Sequence, residues 1–180
     1  HHTIAANHET QRAAGMLFVV EAQTLSERRA ARKASVSQRV AECAAIVNAD
    51  RHPWVVWCDL NAESKALTDA IEGAVEVTGS DPIDEKESKL AAFAAGEFRV
   101  IVSKPSICGF GLNWQHCARM AFVGVTDSWE AYYQAVRRCW RFGQSRPVHV
   151  HIFASEAEGA VVKNLQRKEL DARAMSDQLA

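Results

Sequence analysis

The chain has 180 residues, of which 48% are hydrophobic and 24% charged, and its formal net charge is −1. This length and apolar share suit one globular domain with a sizeable core, and they exclude wholesale disorder. No apolar run reaches the ~18 residues of a membrane span, and the near-zero charge excludes a protein that grips a polyanion by bulk charge alone.

The cysteine pattern favours a reducing compartment. Five cysteines are widely spaced and form no C-x-x-C pair: Cys43, Cys58, Cys108, Cys117 and Cys139. A zinc site usually needs closely spaced ligand pairs, and a disulfide framework usually needs an even, dense set. We therefore expect buried reduced thiols, no metal site and, with no secretory leader in view, a cytoplasmic location.

The first third of the chain carries a clear helical signal near its end. Residues 1–23 show one short apolar run and could be a strand or an arm, and His1-His2 is set aside as a tag remnant or chance start. Residues 24–27 (Thr-Leu-Ser-Glu) match a capping box, and Ser35 offers a second helix start. Apolar residues then recur at helical spacing through about residue 48: Val36, Val40, Cys43 and Val47.

A basic cluster lies between and beyond these two helix starts. Its members are Arg28, Arg29, Arg32, Lys33 and Arg39. Such a cluster is either a solvated helix face or a strip that faces phosphates, and the sequence leaves both interpretations open.

From His52 to residue 155, short apolar runs alternate with helical stretches. Five runs predict buried strands: Trp54–Cys58, Ala74–Val77, Arg99–Val102, Met120–Val125 and Val148–Phe153. Helices are predicted at Glu63–Ile71, Asp84–Ala95 with Gly96 as its stop, Trp129–Trp140, and Glu156 to about Met175. This alternation predicts a mostly parallel sheet covered on both faces. Ligands of such sheets bind beyond the carboxyl ends of the strands, here residues 59–61, 103–113 and 127–129.

The loop at 103–113 contains two glycines two residues apart, Gly109 and Gly111. Glycines let a backbone approach a ligand closely and present N–H groups to an anion. A lone G-x-G is weak evidence, and no third glycine completes a dinucleotide fingerprint. On this feature alone, a simple turn is as good an interpretation as a binding loop.

The arginine segment at 134–144 (Gln-Ala-Val-Arg-Arg-Cys-Trp-Arg-Phe-Gly-Gln) is a stronger signal. On a helix, Arg138 and Arg141 would share a face because they are three residues apart. No acidic residue lies between Arg137 and Arg146, so the local field is positive. Rigid guanidinium groups on one face suit a polyphosphate, although arginines of a surface helix can also pair with acids elsewhere in the chain.

Together these features resemble the second RecA-like domain of superfamily-two helicases, most of all that of the Swi/Snf-type DNA translocases. Residues 103–113 are similar to motif V of those proteins, and residues 134–144 are similar to motif VI. Residues 54–61 resemble the motif IV strand and loop, and the turn and helix at 79–93 are also typical. The resemblance covers about residues 40–155 and implies a RecA-like three-layer αβα sandwich with an N-terminal helical lead-in.

The resemblance also implies roles for individual residues. Arg138 and Arg141 would be the catalytic arginines that reach the γ-phosphate of ATP. The other ATP-site residues would be Gln134, Gly109, Gly111, Asn113 and Gln144. Contacts to the DNA backbone, which carry no base specificity, would come from Ser103, Lys104, Asn61 and Lys65.

Departures from the family pattern place the chain in a divergent branch. Cys108 stands where motif V usually has a glycine, Pro105 is unusual there, and Trp140 replaces a usual histidine. The large insertions of eukaryotic remodellers are absent. These differences suggest a prokaryotic or phage-type member.

The sequence contains no G-x-x-x-x-G-K-[ST] loop and no acidic box after an apolar strand. In the family these parts belong to the first RecA-like domain. We therefore expect ATP and Mg²⁺ to be held mainly by an N-terminal RecA-like domain outside this chain, with none bound to this chain alone. The isolated chain would then be inactive, although the full-length protein would hydrolyse ATP.

The expected division of the chain is an arm at 1–23, the helicase domain at 24–155 and a C-terminal helix at 156–180. Its expected partners are DNA and the N-terminal RecA-like domain, and we expect no membrane association. Two alternatives remain open at this point. One is a Rossmann-like enzyme that binds a cofactor with the 103–113 loop, and the other is a non-catalytic interaction module.

Overall fold

Strands and helices alternate along the chain in the computed structural model, which describes residues 2–4, 30, 33–107, 113–124, 128–155 and 159–178. The strands are β1 (His2–Ile4), β2 (Trp54–Cys58), β3 (Ala74–Val77), β4 (Val100–Ser103), β5 (Arg119–Val123) and β6 (His149–Ser155). The helices are α1 (Val36–Ala49), α2 (Asn61–Ala70), α3 (Ile83–Ala95), α4 (Trp129–Val136) and α5 (Gly159–Gln178). Within these ranges, no helix has the length and apolar composition needed to cross a membrane.

The six strands form one sheet in the order β1-β6-β5-β2-β4-β3, and each of the pairings between them is parallel. Parallel strands need crossover connections, and a described helix lies in four of the five connections between consecutive strands, the exception being that from β4 to β5. The predicted α/β class with a mostly parallel sheet is therefore confirmed. His2 was set aside above as a tag remnant or chance start, and this was wrong, because it lies in the edge strand β1 opposite Phe153 of β6.

Alternate residues of the central strands feed two separate cores. In β2, Val55 and Trp57 belong to one apolar cluster, whereas Trp54, Val56 and Cys58 belong to the other. The period of two places these side chains on opposite faces of the sheet. Helices α1 and α2 cover the second face, and helices α3, α4 and α5 cover the first. This is the predicted three-layer αβα sandwich.

Helix α4 is shorter than the sequence pattern predicts. It ends at Val136 and not at Trp140, and residues 137–143 form turns and bends. The carbonyl of Arg138 accepts a hydrogen bond from the N–H of Trp114 (2.9 Å), which lies on a distant segment. A carbonyl that bonds outside its helix cannot continue the i→i−4 ladder. The arginines of this segment are therefore held by turns, and the expectation of a shared helix face for Arg138 and Arg141 was wrong.

Smaller differences concern helix boundaries. Helix α2 begins at Asn61, before the predicted start at Glu63, and α5 begins at Gly159. Gly96 ends α3 in a left-handed conformation (φ 77°), as predicted, because glycine adopts this conformation without steric cost. The predicted helix start at residues 24–27 lies outside the described residues.

The basic cluster of the sequence is divided by the fold. Arg39 is fully buried, and its Nη2 lies 2.7 Å from Oε1 of Glu63, which is also fully buried. The other carboxylate oxygen of Glu63 accepts hydrogen bonds from the N–H groups of Asp59 (3.0 Å) and Leu60 (2.9 Å) at the start of α2. Arg39 thus belongs neither to a solvated face nor to a phosphate strip. Arg28, Arg29 and Arg32 lie outside the described residues, and Lys33 is exposed.

Asp50 joins three elements at the amino-terminal edge of the sheet. Its carboxylate accepts hydrogen bonds from the His52 N–H (3.0 Å) and the Trp54 indole (3.2 Å), and it forms an ion pair with Arg119 of β5. Burial by itself raises the pKa of Asp50, but the hydrogen bonds from His52 and the charge of Arg119 outweigh it and lower the pKa to about 2. The charged form is therefore part of the folded structure.

Asp50→Asn should lower the free energy of unfolding by about 1–2 kcal/mol at pH 7, because the variant loses the charge that these donors stabilise. The folded pKa lies below the unfolded value of about 3.9, so this stabilisation is present above that pH and is lost as the pH falls toward 2. Urea unfolding at pH 7 and pH 3 measures the effect, and the gap between the proteins should narrow at pH 3. The control Asp69→Asn breaks only an exposed pair with Lys65 and should cost less than about 0.5 kcal/mol.

Candidate functional site

Three neighbouring strands end at the same edge of the sheet. Because β4, β2 and β5 are adjacent and parallel, the segments that follow Ser103, Cys58 and Val123 emerge side by side. A small, open pocket lies at this edge and is lined by Trp57, Cys58, Asp59, Pro105, Phe122, Gly124, Ala131 and Tyr132. The structure therefore brings together the segments predicted to carry ligand-binding residues.

Asn61 and Lys65 lie on the first turns of α2, directly after β2. Both side chains are exposed, and they are four residues apart, so they lie on the same side of the helix. Lys65 pairs with Asp69 at 3.2 Å, but both side chains are largely exposed. Surface pairs of this kind contribute little, so Lys65 can exchange its partner for a phosphate at small cost.

The segment after β4 holds one buried and one accessible polar side chain. The Ser103 hydroxyl is buried and donates to the carbonyl of Val77 on β3 (2.8 Å). Lys104 follows it and is half-buried. Asn113 is exposed at the far end of the loop, whereas Gly109 and Gly111 lie outside the described residues.

The two catalytic candidates of the arginine segment sit in different environments. Arg138 is half-buried, and its guanidinium carbon lies 5.8 Å from the ring centroid of Trp57 and 5.7 Å from that of Trp114. These distances are typical of cation–π contacts. Arg141 is exposed, and among the described residues its guanidinium has no hydrogen bond or ion pair. Gln134, on α4, is exposed as well.

Gln144 ties the arginine segment to the segment that precedes β5. Its Nε2 donates to three backbone carbonyls, those of Gln115 (2.9 Å), Cys117 (3.2 Å) and Cys139 (3.2 Å). Its Oε1 accepts from the N–H of Arg146 (3.1 Å). The side chain thus fastens the end of one predicted motif to the residues that follow the other. Gln144 is placed to position the site and not to offer its amide to a ligand.

Further bonds reinforce this junction. The Arg146 guanidinium donates to the carbonyls of Gln115 (3.1 Å) and His116 (2.6 Å), and the Gln115 amide donates to the carbonyl of Phe142. Burial, together with the charge of Arg146, lowers the pKa of His116, so this imidazole is neutral at pH 7. Trp114, Gln115 and Arg146 also hold this junction together, although the sequence analysis did not predict a role for them. The one available sign was that they lie close in sequence to the segments at 103–113 and 134–144.

The thiols near the site are structural. The four described cysteines, Cys43, Cys58, Cys117 and Cys139, are buried and free of disulfides, as predicted. Burial raises the pKa of Cys58 to about 12. A hydrogen bond with Cys117, together with burial, raises the pKa of Cys139. The Cys58 and Cys139 thiols therefore stay protonated at neutral pH and are poor nucleophiles, whereas the hydrogen bond with Cys139 lowers the pKa of Cys117. Cys108 lies outside the described residues.

The chain is similar in sequence to known helicases. Residues 38–143 match the model of the helicase conserved C-terminal domain. Human "ATP-dependent DNA helicase Q4" is 34% identical over 83 residues, which are 46% of this chain. The chain spans 6% of the length of that relative.

Two solved structures share the fold. The C-terminal part of the Fun30 ATPase domain matches with a TM-score of 0.61 at 12% identity, over 73% of this chain and 45% of that one. The C-terminal domain of the DEAD-box protein Dbp5 matches with a TM-score of 0.63 at 11% identity, over 75% of this chain and 80% of that one. At such identities the likeness concerns the fold alone.

The two glutamines of the arginine segment should differ sharply in their effect on stability. Gln144→Ala removes the side-chain donor of the Cys117 and Cys139 carbonyls, whereas the Gln115 carbonyl keeps Arg146 as a donor, and it should lower the free energy of unfolding by about 1–3 kcal/mol. Gln134→Ala removes an exposed side chain and should change it by less than about 0.5 kcal/mol. Denaturant unfolding monitored by circular dichroism provides the comparison. Equal effects of the two substitutions would contradict the positioning role of Gln144.

Proposed function

Because the chain belongs to the helicase conserved C-terminal domain family, we propose that it is the second motor domain of an ATP-dependent DNA helicase or translocase of the Swi/Snf type. In this role a RecA-like domain completes an ATP site whose other half is carried by an N-terminal RecA-like domain. The observation that carries the proposal is the exposed guanidinium of Arg141 in a segment without acidic residues. A Rossmann-like cofactor enzyme would leave this arrangement without a use.

Arg141 is the best candidate for the arginine that reaches the γ-phosphate. Its guanidinium is accessible and is not neutralised by a carboxylate of the described residues. A planar guanidinium donates two parallel hydrogen bonds to phosphate oxygens, and it keeps its charge at any physiological pH. An arginine delivered in this way stabilises the negative charge that spreads over the transferring phosphoryl group.

Arg138 is the second arginine of the proposed site. Its contacts with Trp57 and Trp114 hold the guanidinium between the core and the surface. Cation–π contacts are worth about 0.5–2 kcal/mol, which is less than the attraction of a phosphate in a dry cleft. We therefore expect Arg138 to turn from the tryptophans toward the phosphates when the two motor domains close on ATP.

The residues present fit a nucleotide with its metal bound mainly elsewhere. Arg138, Arg141 and Gln134 can bind and orient phosphate oxygens, and Gln144 holds their segment in place. Asn113, Gly109 and Gly111 complete the proposed ATP-binding set. ATP with Mg²⁺ supplies a phosphoryl group activated for transfer to water. The Mg²⁺ ligands are assigned to the N-terminal RecA-like domain.

The DNA contacts are assigned to the edge of the sheet where β2 and β4 end. Asn61, Lys65 and Lys104 are at least partly accessible there and carry donors that suit phosphate oxygens. Ser103, by contrast, donates its hydroxyl to β3 and would fix the direction of the loop that carries Lys104. Backbone contacts of this kind carry no base specificity, as a motor that moves along DNA requires.

In the full-length protein, Arg141→Ala should lower the turnover number for ATP hydrolysis by about 1000-fold or more. The reason is the loss of transition-state charge stabilisation, so the affinity for a non-hydrolysable ATP analogue should change much less. A steady-state phosphate-release assay and a binding titration measure the two quantities. Arg167→Ala, an exposed arginine on α5, serves as the control and should hydrolyse ATP normally. Wild-type turnover in Arg141→Ala would refute the role of this arginine.

The 180-residue chain by itself should show no measurable ATP hydrolysis, with or without DNA. Its sequence lacks the phosphate-binding loop and acidic box that position the phosphates and Mg²⁺. Phosphate release at millimolar ATP, with and without a DNA duplex, is the measurement. DNA-stimulated turnover by the purified chain would overturn the division of the ATP site between two domains.

A further inference from the structure

Four planar side chains form a stacked column along α4 and the turns that follow it. We call this column, which consists of Trp129, Tyr133, Arg137 and Trp140, the aromatic ladder. The ring centroids of Trp129 and Tyr133 are 6.0 Å apart, with an interplanar angle of 29°. The guanidinium carbon of Arg137 lies 6.0 Å from the Tyr133 ring centroid and 5.6 Å from that of Trp140.

The spacing of the ladder explains the column. Successive members are four, four and three residues apart, which is about one helical turn per step. The first residues therefore share a face of α4, and the turns after Val136 keep Trp140 in line with it. The guanidinium of Arg137 thus lies close to two rings, and no ion pair with an acid among the described residues holds it.

The later members of the ladder are exposed, whereas Trp129 is half-buried and packs against the core. Tyr133 has a relative exposure of 36%, Trp140 of 53% and the adjacent Phe142 of 101%. Large aromatic side chains in such a cluster mark an interaction surface more often than an isolated exposed residue does. The positioning bonds of Gln144 and the proposed phosphate contacts of Arg138 and Arg141 leave these rings without a role.

The charge around the ladder identifies the kind of partner. Residues 131–155 contain four arginines and no aspartate or glutamate. Of these arginines, Arg137, Arg141 and Arg146 are exposed. A polyanion is therefore attracted to this surface, and the exposed rings additionally favour a partner with flat, accessible faces. Unpaired bases on a phosphate backbone offer both properties.

We propose that the aromatic ladder, together with Phe142, is a stacking platform for the unpaired bases of a single-stranded nucleic acid. Bases stack on the rings of Tyr133, Trp140 and Phe142, and the guanidinium of Arg137 contacts a phosphate or stacks on a base. Stacking is tolerant of sequence because every base has a π-face. This surface is additional to the backbone contacts assigned above to Lys104 and α2, and it needs neither ATP nor a second domain.

Binding of fluorescein-labelled oligonucleotides by the 180-residue chain tests the proposal through fluorescence anisotropy. The probes are an oligothymidylate of about 20 nucleotides and a DNA duplex of the same length. Trp140→Ala should weaken binding of the single strand about 5-fold or more, because each stacked base contributes substantially to affinity. Binding of the duplex should change less than 2-fold, since its bases are not accessible. Trp140→Phe, which keeps an aromatic face, should retain most of the single-strand affinity.

Two further variants separate stacking from charge. Phe142→Ala should also weaken single-strand binding, and its high exposure makes a folding defect unexpected. Arg137→Ala should reduce the slope of log affinity against log salt by about 0.7, the contribution of one contact to a single strand. Leu170→Ala is the matched control, because it removes an exposed apolar side chain (65%) on α5. Circular dichroism verifies the fold of each variant.

Several results would overturn the proposal. One is the absence of single-strand binding by the wild-type chain. Another is unchanged single-strand affinity in Trp140→Ala and Phe142→Ala, which would assign the surface to a protein partner. A third is an equal loss for single strand and duplex, which would indicate charge or shape and not stacking. None of these results bears on ATP hydrolysis, so the proposal and the Arg141 role fail separately.

Discussion

The parallel direction of the strands is the constraint on which the rest of the structure depends. Since each described strand pairing is parallel, the segments after β2, β4 and β5 must emerge at one edge of the sheet. Residues separated by up to 75 positions in sequence, such as Trp57 and Tyr132, therefore line one pocket. Antiparallel pairing of any of these strands would send its loop to the opposite edge and divide the site.

A second set of contacts fixes the arginine segment relative to that edge. Without it, residues 137–146 would be an irregular surface segment, because α4 ends at Val136. The Trp114–Arg138 backbone bond and the three bonds from the Gln144 amide replace the helical ladder that is lost there. Each such bond contributes on the order of 1 kcal/mol net, but leaving the carbonyls buried without donors would cost more. These bonds thereby fix the backbone on both sides of Arg141 to the segment that precedes β5.

Three arginines of the same chain lie in three different surroundings. Arg39 is fully buried against Glu63, where loss of one partner would leave an unpaired charge and cost about 3–5 kcal/mol. Arg138 lies half-buried, and its guanidinium contacts the faces of two indoles. Arg141 is exposed and keeps its full capacity to bind an anion. The charge pattern of the sequence treats these residues alike, so it could not separate them.

The sequence by itself determined the order of strands and helices, the covered parallel sheet and the stop of α3 at Gly96, because periodicity and glycine conformation are local properties. It also located both segments of the candidate site. Only the tertiary structure decided that α4 ends at Val136, that Ser103 and Gln144 bond to backbone carbonyls and that Arg39 is buried. These outcomes depend on partners that are distant in sequence, such as Val77, Trp114 and Glu63. Whether a polar side chain is buried or solvated is decided by such partners, and its neighbours along the chain do not reveal it.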